Sequence, residues 1–447
     1  MDRRYRAFRH QQSAWPRRHP ARRRGGLQGN RSGGRAMSGN HVAFLECNAS
    51  GTGVEAMKRV RRRGMHVILL TREREFYAGL ESNPLDEADI VIDVCTNCVG
   101  SILNCLQDYS LSGVLAFDDY RLITAAMVAR HLGLPAPDIE GLLNCRFKNR
   151  TRRAVRSGGV ASRTFNLSAP PEMWRMHFPC VVKPCDDSGS AGVRICRDAA
   201  DFEAAVDYLR RHRTNVRGYR LSEEFLVEEF IAGDEFSAEL VWSRDRAAWD
   251  LLGVTRKTVT SGEYPIETGH DFPVLLAAHE AVAAQIRTWL REAALSGTVA
   301  HVEFKLCGGR ARLIEINPRP GGDMIHHLCK TVTGIDLVDA YLSLLIDDYP
   351  SACLPAAGAS RAAAASIRFL MPEAPGRLID IQMPPIENPG ILLCKIKKGP
   401  LLVESISSSY ARLGFVVAAG ADIDDAARQA EACIEGMQIM YANNVRK

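Results

Sequence analysis

The sequence predicts a multidomain chain of mixed α/β and α+β class: an α/β domain first, a large central domain, and a small α+β domain last. Three observations carry this. Between His41 and Phe117, short apolar runs alternate with helical stretches, the pattern of a parallel sheet with crossovers. Between His301 and Gly322, two runs of alternating polarity flank Gly308-Gly309, the pattern of a hairpin. Breakers cluster at Gly133-Leu-Pro135-Ala-Pro137, and the Ala-rich stretch 356–365 reads as a linker. The divisions are residues 1–40, 41–137, 138–350 and 351–447, and this length suits about three folded domains.

In order, strands are expected at His41–Cys47, His66–Thr71, Ile90–Val94 and Val114–Phe117. Gly51-Thr-Gly53-Val-Glu-Ala56 opens the first helix with a G-x-G-x-x-A spacing, and Glu73 follows at 22 residues from Gly51. That spacing has two readings: a dinucleotide fingerprint, or a tight turn in a nucleotide-free domain. Asp118 and Asp119 precede the helix Ile123–Leu132 and read most simply as N-cap residues, with contact to a substrate ammonium as the alternative. Asp138–Ser157 reads as one helix, its Arg150, Arg152 and Arg153 on a solvated face.

Cys180-Val-Val-Lys183-Pro is a strand with a lysine among apolar residues, and a buried lysine needs an anion. Ser188-Gly189-Ser190-Ala191-Gly192 follows before the next strand, a loop of small residues whose backbone N–H groups can wrap phosphate. Arg256 to Pro273 reads as a long polar loop able to close over a substrate. In the last module, strands are expected at Ser366–Leu370, Ile391–Lys395 and Gly414–Ala418. A helix should run from Ile423 to Tyr441, with Lys395, Lys397 and Lys398 on a solvated edge.

Net charge is +5, but residues 1–40 hold 11 Arg against one acid, so the remainder carries 46 basic and 51 acidic side chains. A mildly acidic body gives no reason to expect a nucleic-acid partner. No apolar run reaches the roughly 18 to 20 residues of a membrane span. The Arg- and Gly-rich tail lacks hydrophobic periodicity and reads as disordered. It lacks a secretory apolar core, and its composition without amphipathic patterning fits a transit peptide poorly; we read translation as starting at Met37. The 13 cysteines are scattered through apolar runs, the usage of a reducing cytoplasm. Cys95-x-x-Cys98 has no second pair, so it is not read as a metal or redox site.

The hairpin carries the chemistry. Glu315, Asn317 and Arg319 share one strand face. A two-residue turn would throw Glu303 and Glu315 onto opposite faces, whereas a three-residue Gly308-Gly309-Arg310 loop sets them opposite each other. We expect the latter, with a cation between the carboxylates, because like charges directly opposite are destabilising. Two carboxylates and the Asn317 amide oxygen are hard donors suited to Mg²⁺.

E-x(11)-E-x-N-x-R-x-G-G from Glu303 to Gly322 resembles the metal-binding core of the ATP-grasp superfamily, in particular its carboxylate–amine ligases. The resemblance covers residues 41–350 well and 351–447 loosely. It implies a Rossmann-like N-terminal domain, a central ATP-grasp domain and a small α+β C-terminal domain that covers the active site or forms a homodimer contact. ATP would be held by Lys148, Lys183 and the Ser188–Gly192 loop at its phosphates, by Glu228, Glu229, Phe230 and Ile231 at adenine, and by Glu235 at the ribose. Mg²⁺, for which Mn²⁺ can substitute, would sit on Glu303, Glu315 and Asn317. Arg256 and His270 would bind the carboxylate substrate, and Arg319 would stabilise charge on an acylphosphate. The implied partners are small carboxylates and amines, amino acids by preference. The alternatives are an acid-activating enzyme such as a carboxylase on the same fold, and an NAD(P)-binding oxidoreductase resting on Gly51–Ala56.

Overall fold

A computed structural model describes residues 37–48, 51–80, 82–168, 177–215, 217–260, 266–350, 362–406 and 408–442. The expectations for the tail to residue 36 and most of the Ala-rich linker fall outside these residues.

Strands β1 (Met37–Leu45), β2 (His66–Thr71), β3 (Ile90–Asp93) and β4 (Tyr109–Leu115) form a parallel sheet in the order β3-β2-β1-β4. Between them run helices α1 (Thr52–Arg62), α2 (Pro84–Glu87) and α3 (Val99–Leu106), and α4 (Leu122–His131) follows β4. β1 is buried on both faces, as a sheet covered by crossovers requires. Val42 and Phe44 pack with α1, and Ala43 and Leu45 pack with α3 and α4. The glycine spacing has a packing cause. Gly51 caps α1 at φ 86°, and a Cβ on Gly53 would fall 2.4 Å from Cys47 Sγ. Asp118 and Asp119 do not cap α4, contrary to expectation, because Arg121 holds the N-cap position.

The expected single helix over 138–157 is broken. α5 (Ile139–Arg146), capped by Asp138, ends at Phe147 in extended conformation, and α6 (Lys148–Ala154) starts directly after it. The break is tied down by Lys148 N–H, which donates to Cys185 O at 2.8 Å.

β5 (Ser162–Asn166), β6 (Cys180–Pro184), β7 (Arg194–Cys196) and β8 (Glu224–Glu229) form a small antiparallel sheet, with α7 (Ala199–Arg211) on one face. Its core sets Phe202, Val206 and Leu209 against Val182, Phe225 and Val227.

The largest sheet has eight antiparallel strands in the order β13-β12-β9-β10-β11-β14-β18-β16. They are β9 (Glu235–Ser243), β10 (Ala248–Val259), β11 (Glu267–Phe272), β12 (Val299–Cys307), β13 (Arg310–Asn317), β14 (Ala364–Leu370), β16 (Ile391–Ile396) and β18 (Gly414–Gly420). Phe236, Ala238, Leu240, Val302 and Phe304 bury one face of it under α8 (His279–Glu292), anchored by fully buried Trp289. Alternate residues Glu235, Ser237, Glu239, His301 and Glu303 therefore line the other face. α9 (Ile325–Thr333) and α10 (Leu337–Leu345) cover the apolar end of that second face.

Three further expectations are corrected. The polar stretch 256–273 is a β10–β11 hairpin rather than a long loop, although residues 261–265 lie outside the described ones. The last module does not stand apart, since β14 pairs with β11 and extends the large sheet. The final helix, α11 (Ile423–Glu435), stops at Gly436, and the rest forms β19 (Gln438–Tyr441). β19 joins β15 (Gly376–Gln382) and β17 (Leu401–Val403) in a small sheet, order β17-β15-β19. No described helix is long and apolar enough to cross a membrane.

Candidate functional site

The β12–β13 hairpin brings Glu303 directly opposite Glu315, and His301 opposite Asn317. The route differs from expectation. Cys307 pairs with Arg310, so the turn is the two-residue Gly308-Gly309, both at positive φ, 57° and 75°. Such a turn suits a two-residue hairpin, where both central residues need positive φ. Farther along, Glu303 pairs with Glu315 but Phe304 pairs with Leu313. Ile314 is the extra residue of a β-bulge, and the bulge restores the register that the short turn would have lost.

Cations from two other elements, and His301 of β12 itself, meet these carboxylates. Lys148 Nζ lies 2.9 Å from Glu315 Oε1. Lys257 Nζ, on β10, lies 3.1 Å from Glu303 Oε2, 3.2 Å from Glu267 and 3.4 Å from Glu235. His301 Nε2 sits 3.3 Å from Glu303, with its Nδ1 2.9 Å from Glu239. Burial opposes ionisation of Glu303, but Lys257 and then His301 hold its carboxyl well below the usual range. Burial likewise works against the His301 cation, and Glu239 reverses this to a pKa of about 9. Asn317 Nδ2 donates to Glu303 Oε1 at 3.3 Å, and Asn317 lines one cavity with Glu315. Two opposed carboxylates and an amide oxygen fit a divalent cation of hard character.

The small sheet faces this cluster. Lys183 is buried on β6, with Nζ 2.6 Å from Glu228 Oε2 on β8. Arg152 Nε lies 2.5 Å from the other Glu228 oxygen, and Arg152 also donates to Ile314 O at the bulge. Arg152 is thus buried, not solvated as expected. The position one turn after Lys148 faces inward, because α6 lies across β8 and β13. Two cations share one carboxylate, so the pair carries a positive surplus. Burial, with Arg152 and Lys148 nearby, lowers the Lys183 pKa despite Glu228.

Gly189, Ser190 and Gly192 all have positive φ, and the loop tip is exposed. Ser188 Oγ donates to Asp119. On β8, Glu229 receives Ala161 N–H at 2.7 Å and pairs with Arg312, and Phe230 N–H donates to Pro179 O. Ile231 is buried and follows directly.

Of the three residues expected to handle substrate, Arg319 lies by the cluster, its guanidinium forked onto Asp119. His270 is buried on the carboxylate-bearing face, Nε2 3.2 Å from Asp323. Arg256 does not reach this face. It pairs with Asp271 at 3.0 Å on the opposite side of β10, because its neighbour Lys257 takes the inward position. Sequence reasoning also missed Asp323 and Arg412. Asp323 has positive φ, 52°, and Arg412 reaches in from the last module to pair with Asp323 at 2.8 Å and Glu267 at 3.0 Å. Glu267, His270 and Asp323 also lie close enough together to hold a cation, and here Arg412 and Lys257 pair with their carboxylates.

The crevice at the carboxyl ends of the parallel strands, where such sheets take ligands, is filled. Arg217, from the segment before β8, donates to Glu46 at 3.0 Å, pairs with Asp118 at 3.1 Å and stacks on Phe76 at 3.6 Å. Glu46 also accepts from Tyr77, Thr71, Thr96 and the Arg72 backbone. Asn48 Oδ1 takes the Gly53 N–H at the α1 N-terminus. Packing accounts for the Gly51–Ala56 spacing, and the dinucleotide alternative loses its main support. Cys95 and Cys98 are free and exposed.

A small sheet bearing a lysine and a glycine loop, closed over a large sheet bearing opposed carboxylates, is the two-sheet cleft of an ATP-grasp protein. The chain belongs to that superfamily: the ATP-grasp domain family matches residues 176–327, and the ATP-grasp N-terminal domain family matches residues 57–136. It is 25% identical over 302 residues to the uncharacterized protein y4rH of Sinorhizobium fredii, covering 66% of this chain and 61% of that protein. It is 28% identical to carnosine synthase 1 of Mus musculus over 52% of this chain and 30% of that one. The chain thus spans under two thirds of the length of both relatives. The fold matches the crystal structure of L-amino acid ligase from Bacillus licheniformis with a TM-score of 0.73, at 17% identity, over 90% of this chain and 99% of that one.

Proposed function

We propose that the protein is an ATP-dependent carboxylate–amine ligase that joins amino-acid substrates through an acylphosphate, releasing ADP and phosphate. The observation that carries this is Glu303 set opposite Glu315 beneath Lys148, Lys257 and Arg319. The similarity to carnosine synthase and to L-amino acid ligase supports amino acids as substrates. We read the N-terminal sheet as a nucleotide-free Rossmann-like unit and the last module as the cover that supplies Arg412.

Lys183 and Lys148 neutralise phosphate oxygens, and the Ser188–Gly192 backbone wraps them. Glu228 is the counter-charge that lets two cations stand in a buried place until the anion arrives. The strand end Glu228–Ile231 meets adenine, and Glu235 accepts from the ribose hydroxyls. Glu303, Glu315 and Asn317 would hold Mg²⁺, which would supply positive charge to the triphosphate. The substrate carboxylate attacks the γ-phosphorus and ADP leaves. The amine then adds to the acyl carbon and phosphate leaves, while Arg319 bears the charge that develops on oxygen. His270, held by Asp323, borders the place where the carboxylate sits.

The test is a panel of amino-acid pairs with ATP and Mg²⁺, read as free phosphate and coupled product. Glu315→Gln is expected to abolish Mg²⁺-dependent ADP release while the protein stays folded; full turnover in that variant would refute the metal assignment. ADP release with bicarbonate and without an amine would favour the carboxylase reading instead.

A further inference from the structure

Asp119 belongs to the N-terminal domain, in the loop after β4, yet both its oxygens are spent on other parts of the molecule. Arg319 Nε donates to Oδ1 and Arg319 Nη2 donates to Oδ2, the latter at 2.7 Å. Ser188 Oγ, at the start of the glycine loop, donates to Oδ2 as well. The neighbouring residues repeat the tie, since Tyr120 Oη donates to Asp187 Oδ1 at 2.5 Å. Both charged side chains are largely buried, Asp119 at 14% and Arg319 at 17% exposed.

A guanidinium has five N–H donors. Asp119 takes two, and Pro320 O takes a third, from Nη1 at 3.1 Å. One N–H remains on each terminal nitrogen, and a plane fixed by the bidentate carboxylate fixes where those two point. Asp119 and Ser188 line one small cavity together with Glu315 and Asn317, so the held arginine sits at the edge of the carboxylate cluster.

We propose that Asp119 is the positioning residue for Arg319 and couples its orientation to closure of the glycine loop, so that the guanidinium is aimed at the reacting phosphate only when the loop is down. This rests on the ligase reading. Asp119 does not cap a helix, and both its oxygens are taken by groups within the protein. It holds a donor whose value lies in being already oriented, and an unheld arginine would spend that advantage on rotamer freedom.

The test is a double-mutant cycle on ADP release with Asp119→Asn, Arg319→Lys and the pair, with Ser188→Ala alongside. Nucleotide-analogue affinity and unfolding midpoint are measured on each. Asp119→Asn keeps the shape but cannot accept both donors. It is expected to lower kcat by about 10²-fold, at the lower end of what one preorganised donor supplies, with analogue affinity retained and the protein still folded at the assay temperature. Added to Arg319→Lys it should cost little more, because both changes remove one interaction. Ser188→Ala should raise KM for ATP and also lower kcat, because it cuts the bond between the loop and Asp119; an unchanged kcat would overturn the link to the loop. Multiplicative losses, or full kcat in Asp119→Asn, would overturn the proposal. A wild-type protein silent with every substrate pair would instead sink the ligase reading. Hydrogen exchange then decides the coupling without turnover: Asp119→Asn should speed exchange in both 186–192 and 317–322, and a change confined to 118–121 would overturn it.

Discussion

At the scale of single residues, one position separates a cation in the cleft from one outside it. Lys257 and Arg256 are adjacent on β10 and point to opposite faces. Lys257 is 4% exposed and serves three carboxylates, whereas Arg256 is 44% exposed and pairs behind the sheet. Burial disfavours the Lys257 cation, yet Glu303, Glu267 and Glu235 hold its pKa well above the ordinary lysine value. Removing one partner of a buried ion group leaves uncompensated charge, at about 3–5 kcal/mol. Lys257→Met should therefore lower the free energy of unfolding by that order, and Arg256→Met should do far less; equal effects in equilibrium unfolding would count against the placement. The opposition of Glu303 and Glu315 was legible in the alternating runs of the hairpin, although the turn that was expected to produce it was the wrong one. Lys257 was not legible, because faces on β10 are set by pairing with β9 and β11, and both partners are distant in sequence.

At the scale of elements, the hairpin shows the limit of pattern reading. Glycine turns and alternating runs announce the hairpin itself, but a bulge at Ile314 has no signature apart from its strand pairing. The break at Phe147 is similar: the composition of 138–157 is helical throughout, and only docking of Lys148 N–H on Cys185 O divides it. α10 offers an electrostatic test. Its N-cap Asp336 accepts from Val338 and Asp339 N–H groups and pairs with Arg59 at 2.6 Å and Lys330 at 3.0 Å. Burial raises its pKa, but Arg59 and then Lys330 carry it down to about 2, below the ordinary 3.8. A depressed carboxyl stabilises the fold above its unfolded pKa, and that contribution is lost as pH falls through the folded value. Asp336 should thus contribute about 2 kcal/mol at pH 6, fading between about pH 4 and pH 2. The stability gap between wild type and Asp336→Asn, followed by urea unfolding, should shrink over that window; a gap independent of pH would contradict the assignment.

At the scale of the whole molecule, charge pairs pin the parts of the cleft together. Arg217 anchors the segment before β8 to Glu46 and Asp118 of the N-terminal domain, and Arg412 anchors the last module to Glu267 and Asp323. Arg217→Ala leaves two buried carboxylates short of a partner. It should lower the unfolding midpoint and speed hydrogen exchange across β5–β8 and α7, with the large sheet unaffected. Exchange unchanged in the small sheet would show that the contact holds nothing shut. NAD(P) is expected not to bind, since Arg217 and Asn48 fill the crevice; a saturable fluorescence titration would overturn that.

By itself the sequence determined the strands and helices whose faces are periodic, the order of the domains, and the acid pair, lysine strand and glycine loop that announce a nucleotide cleft. These are local signals, because the residues that make the argument lie within a few positions of one another. The tertiary structure alone decided which cations enter the cleft, that Arg152 turns inward, that the last module continues the large sheet, and that Asp119 grips Arg319. Each of those depends on strand register or on contacts between residues far apart in the chain, and side-chain direction there follows from the partner rather than from the neighbouring sequence.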